Sequence, residues 1–175
     1  MKSISSGVLG FLLLLAVPGV ARAQISDQEL GEQVAESVLN YSKFSIFDDV
    51  NVAVDNRVVT LLGRVTTPQK KDEIGKRAAR IDGIRELHNE IGVLPVNQVD
   101  AALRERVALA IYRHPAFWRY AQQSNPPIHI IIENQHITLT GEVDSPVDSM
   151  LAYSLAQVHG ALSIENQLRI AGRRR

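Results

Sequence analysis

Two stretches, VVTLLGRV (58–65) and ITLTGEV (137–143), decide the fold. Each alternates residues as a half-buried strand does, and each holds one bare glycine, Gly63 and Gly141, seventy-eight positions apart. The offset extends outward. It pairs Val50, Val52 and Val54 with Ile128, Ile130 and Ile132, Asn56 with Asn134, and Pro68 with Pro146. A one-residue deletion then changes the offset to 77, pairing Ile74, Ile81, Gly83, Asn89, Ile91 and Val93 with Leu151, Val158, Gly160, Asn166, Leu168 and Ile170. Upstream, Leu30, Val34 and Val38 match Leu103, Val107 and Ile111 at offset 73, which leaves about five extra residues within HPAFWRYAQQSNPP (114–127) of the second copy. The chain is an internal repeat.

Each copy is read by its periods. Leu30/Val34/Val38 and Leu103/Val107/Ile111 are spaced as the buried stripe of an amphipathic helix. Two alternating strands follow, joined by a hairpin loop at Asp55-Asn56-Arg57 or Glu133-Asn134-Gln135. Thr67-Pro68 and Ser145-Pro146 place a capping hydroxyl before a proline, a helix start whose buried face is Ile74/Ala78/Ile81 or Leu151/Leu155/Val158. A third strand is expected over Leu87–Val93 and Ile164–Ile170. The prediction is an α+β fold of two tandem α-β-β-α-β units, an α/β sandwich in which a small three-stranded mixed sheet is covered by two helices. A right-handed crossover makes the third strand parallel to its neighbour. Domain bounds fall at 24–95 and 96–172. Units this small are near the lower limit for an independent core, so the copies are expected to pack together.

The glycines are read as structural. Gly63 and Gly141 imply close approach by a helix or a bulge that turns the strand, and Gly83 and Gly160 imply a left-handed helix stop. Asn89 and Asn166, on inward positions of the third strand, are expected to pin a neighbouring turn through their amides.

Residues 1–23 read as a cleaved signal peptide: Lys2, the apolar run VLGFLLLLAV, Pro18-Gly19 and the small-x-small triplet Ala21-Arg22-Ala23. Export is therefore expected. The chain has no cysteine, which rules out a disulfide framework, a thiol nucleophile and a thiolate metal site. Residues 24–172 carry 14 basic and 19 acidic side chains, and Arg173-Arg174-Arg175 then form a basic tail. This balance argues against nucleic-acid binding.

The two strands, the helix after Pro68 or Pro146, and the endings DGIRELHNEIGV (82–93) and HGALSIENQLRI (159–170) resemble the BON domain family over about residues 28–171. That resemblance implies export to the bacterial envelope, association with phospholipid, and a part in osmotic or envelope-stress protection. It implies no catalytic residues.

Nothing in the residues argues for chemistry. There is no His-Glu-x-x-His, Gly-x-Ser-x-Gly or Gly-rich phosphate loop. His129, His136 and Glu133 read as solvated strand residues and not a metal site, and Asp48-Asp49 as a loop with at most a weak cation site. No cofactor is expected.

The distinctive segment is Arg113–Tyr120, where aromatic residues mix with cations in a chain of only 5% aromatics. One reading puts Arg113, Phe117, Trp118, Arg119 and Tyr120, with Arg173, Arg174 and Arg175, at an anionic phospholipid surface: aromatic rings sit at headgroup depth and arginines pair with phosphate. The other packs Phe117 and Trp118 into the core or between the repeats. The expected function is a non-enzymatic periplasmic protein at membrane surfaces. The second reading is a periplasmic protein-interaction or chaperone-like module that docks an envelope partner on the sheet face bearing Val58, Leu62 and Ile131.

Overall fold

The computed structural model describes residues 25–172; the stretch read as a signal peptide and the Arg173–Arg175 tail lie outside them. The first unit runs α1 Asp27–Leu39, β1 Asp49–Asp55, β2 Val58–Val65, α2 Pro68–Ala78, β3 Glu86–Asn89 and β4 Gly92–Val93. The second runs α3 Gln98–Tyr112, a 3-10 turn at Pro115–Phe117, α4 Trp118–Ala121, β5 Ile128–Glu133, β6 His136–Val143, α5 Pro146–Leu155, β7 Ser163–Asn166 and β8 Arg169–Ile170. This is the α+β fold in two similar units that the periods predict.

In each unit the hairpin is antiparallel and the returning strand is parallel to its second strand. That returning strand is broken. Leu61 faces Asn89 and Arg64 faces Gly92 in one continuous register, but the ladder lapses between β3 and β4. The asparagine makes the break: Asn89 Nδ2 donates to the Lys71 carbonyl at 3.0 Å in α2, while its Oδ1 accepts from Ile91 N at 3.3 Å. Asn166 does the same with Ser149 and Leu168, although it is exposed and not the inward amide expected.

Those anchors also correct the alignment of the helices. Lys71 and Ser149 are equivalent at offset 78, so the deletion falls after the helix. The buried pairs are Ile74 with Ala152 and Ala78 with Ala156, while Leu151 and Leu155 are only half-buried.

Gly63 and Gly141 have φ of +121° and +102°. The close approach comes from the neighbouring strand and not from a helix: a Cβ would run into the Asp49 carbonyl oxygen at Gly63 and the Pro127 carbonyl oxygen at Gly141. Gly83 and Gly160 also have positive φ, but they lie beyond the helix caps Ala79 and Ala156, in the turn that feeds the third strand.

A two-residue hairpin forces both Asn56 and Arg57 to positive φ, as it does Asn134 and Gln135. A carboxylate on the first helix of each unit holds that turn. Asp27 accepts from Asn56 N at 2.7 Å and Arg57 N at 2.9 Å; the fully buried Asp100 accepts from Asn134 N at 2.8 Å and Gln135 N at 2.9 Å.

Each unit has its own core. Leu30, Val34, Leu61, Ile74 and Ile91 centre the first, and Leu103, Val107, Phe117, Ile130 and Leu139 the second. The loop after α1 joins them, because its Ile46 and Phe47 pack against the second core. Ile130 N donates to the Ile46 carbonyl at 2.7 Å, the His129 ring lies against Phe44, and His129 Nδ1 is 2.6 Å from the Asp48 carbonyl.

Candidate functional site

The segment after α3 folds as its chemistry requires. Proline cannot continue a helix, so α3 stops at Tyr112, and the His114 side chain caps the Pro115–Phe117 turn. The turn drives Phe117 into the second core, where it is fully buried. Tyr120 follows at 2% exposure. Its hydroxyl accepts from Asp144 N at 2.7 Å and donates to Asp148 Oδ2 at 3.1 Å, and burial pushes its pKa up.

Arg119 is engaged as well. Its guanidinium reaches Asp144 at 3.0 Å, pairs with Asp148, and lies 4.5 Å over the Tyr120 ring. The hydrogen bond to Tyr120 is the main reason its pKa is held above the ordinary value. Asp148 in turn accepts from Ser145 Oγ at 2.9 Å, so α4 is fastened to the start of α5.

These contacts divide the expected lipid-binding set. Phe117 and Tyr120 are withdrawn from any surface by burial, and Arg119 spends its charge on two carboxylates. Trp118 stands 60% exposed, and Arg113 is exposed at the end of α3. The core reading therefore holds for Phe117 and not for Trp118. The sheet face proposed for a protein partner is likewise reduced, since Ile131 is 7% exposed and shares a groove with Asp49, Gly63 and Arg64 of the first unit.

A surface that the sequence reading passed over lies on α5, the helix to which Arg119 and Tyr120 tie the Trp118 turn. Val147 and Met150 on α5 are each 72% exposed, and Tyr153 continues the same face at helical spacing. At the equivalent positions α2 carries Gln69, Asp72 and Gly75. The outer face of this helix is thus polar in the first unit and apolar in the second. The signal was present at offset 78; placing the deletion inside the helix, between Pro68 and Ile74, hid it.

The acidic and histidine candidates resolve structurally. Asp48 is fully buried and pairs with Lys70, with Thr66 N at 2.8 Å, Thr66 Oγ1 at 2.9 Å and Ser45 on its two oxygens. It has no room for a cation. His136 Nδ1 lies 2.6 Å from Ser163 Oγ. Among the described residues no three metal-ligating side chains converge, and no helix is long and apolar enough to cross a membrane.

The BON domain family model matches residues 26–95 and again residues 100–172. No curated protein matches the chain. Among solved structures, the C-terminal domain of CdsD, described as the structural protein of the type III secretion system of Chlamydia trachomatis, shares 11% identity over 85% of this chain and 68% of that one, with a TM-score of 0.34. A second CdsD structure shares 14% over 84% and 65%, with a TM-score of 0.32. Superpositions that loose do not bear on function.

Proposed function

The chain belongs to the BON domain family in two tandem copies, and from that premise we propose that it is a non-enzymatic protein of the cell envelope that binds peripherally to anionic phospholipid. The observation that carries this reading is the apolar outer face of α5, Val147, Met150 and Tyr153, on the helix to which the exposed Trp118's neighbours Arg119 and Tyr120 are tied through Asp148. Burying a large apolar side chain yields roughly 1.5–3 kcal/mol, so a few of them immersed at a membrane interface suffice for reversible attachment. Arg113, exposed at the end of α3, offers a further cation, and the Arg173–Arg175 tail would add ~1 kcal/mol per residue at an anionic surface. The signal-peptide reading of residues 1–23 supports a periplasmic location, and the likeness to other BON proteins supports a part in envelope integrity under osmotic stress.

Co-sedimentation with phosphatidylglycerol vesicles tests the site. The protein is expected to bind at low salt, to bind phosphatidylcholine vesicles weakly, and to lose most binding when Val147→Gln and Met150→Asp restore the first unit's residues. Unchanged sedimentation of that double variant, or of Trp118→Ala, would remove the assignment.

A further inference from the structure

The hairpin geometry decides which backbone groups of the outermost strand in each unit face away from the sheet. A two-residue loop closes on the hydrogen-bonded pair Asp55 and Val58, so bonding alternates back along the ladder and Val54, Val52 and Val50 direct their N–H and C=O groups outward. By the same count Ile132, Ile130 and Ile128 do so in the second unit.

In the second unit that edge is closed. The Arg104 guanidinium donates to the Ile132 carbonyl at 2.6 Å, the Tyr112 hydroxyl donates to the Ile128 carbonyl, and Ile130 N donates to the Ile46 carbonyl at 2.7 Å. At the positions of Arg104 and Tyr112 the first unit has Gly31 and Leu39, neither of which has a side-chain donor. Among the described residues no group bonds the outward backbone of Val50, Val52 or Val54. A groove of about 490 Å³ runs along this edge, lined by Gly31, Glu32, Ala35, Val50, Val52 and Val54 among others. An open row of backbone donors and acceptors is a template for an added strand.

We propose that the β1 edge of the first unit binds an extended segment of a partner protein by strand addition, and that this segment carries basic side chains. Charge selects the occupant. The two elements flanking the groove, α1 and β1, hold Asp27, Glu29, Glu32, Glu36, Asp49 and Asp55 and not one lysine or arginine. Arg169, from the second unit, is the one cation lining the groove among the described residues. A second copy is disfavoured, because antiparallel pairing of two β1 strands about Val52 sets Asp49 of each against Asp55 of the other. The loop that already lends the Ile46 carbonyl to Ile130 shows one strand edge of this fold taking a backbone bond from outside its own sheet.

The probe is a short peptide of alternating lysine and valine, followed by amide NMR on the full chain. Its binding should shift the Val52 and Val54 amides and spare Ile130. Affinity should fall at least tenfold for the glutamate-valine counterpart and for a lysine-valine peptide N-methylated at alternate backbone positions. It should fall as far when Gly31→Arg with Leu39→Tyr installs the second unit's caps. Gly31→Ala, whose Cβ makes only a 3.4 Å contact with Val54 Cγ2, should bind normally and controls for folding. Equal binding of the methylated peptide would reduce the contact to charge alone and overturn the proposal. So would unchanged binding by the capped variant, or a dimer in light scattering that the caps dissolve.

Discussion

The two repeats tie the loop after the first helix to the start of the second helix with opposite electrostatics. In the first unit Asp48 is the buried anion: it takes the Thr66 amide and the Lys70 ammonium. In the second, Tyr120 takes the equivalent Asp144 amide, and Asp148, which stands at the position of Lys70, supplies the anion to Arg119. The acid has moved from loop to helix. One backbone geometry therefore requires a partner for the amide at the helix entrance and a neutralised charge, without specifying which element brings which. Among the described residues the same freedom leaves one strand edge capped and the other open, and one outer helix face apolar and the other polar.

The largest test of that comparison is Asp48→Ala. It strands Lys70, 13% exposed, and frees the Thr66 and Ser45 donors, so denaturant unfolding should lose about 3–5 kcal/mol. A loss under 1 kcal/mol would mean that the cluster is replaceable by water. Next come the shared glycines: Gly63→Ala and Gly141→Ala should each cost about 1–3 kcal/mol, since both press a Cβ onto a neighbouring carbonyl. Very unequal costs would break the equivalence of the two strands.

Tyr120→Phe should cost about 1–2 kcal/mol, less than Asp48→Ala, because it removes a neutral group and leaves Arg119 paired with Asp148. The smallest effect is alkaline. Burial pushes the pKa values of Tyr112 and Tyr120 up, so the folded state keeps those protons longer than the unfolded chain. Their contribution to stability is complete below about pH 10 and declines as pH rises through the folded values. Ultraviolet titration should show both phenols ionising late, and Tyr112→Phe should remove one of the two late transitions.

How much of this the sequence showed depends on distance along the chain. Alternation at 50–65 and 128–143, the prolines at 68 and 146 and the recurring Gly63 and Gly141 are local patterns, so element order and duplication were legible. Phe117 was harder: an aromatic beside arginine suits either a core or a membrane, and only the turn at Pro115 sends it inward while leaving Trp118 outside. The identical roles of Asp27 and Asp100 were missed because each acts on a turn some thirty residues away. Asp48 was read as a loop acid because its partners Thr66 and Lys70 lie 18 and 22 residues away.

By itself the sequence determined two α-β-β-α-β units, since helix and strand periods are properties of neighbouring residues. Tertiary structure alone decided which of the shared positions are satisfied. Among the described residues the edge of β5 is closed by Arg104, Tyr112 and the Ile46 carbonyl, and the edge of β1 is left open. Whether a backbone group is bonded depends on what folding carries to it from elsewhere in the chain, and no local pattern records that.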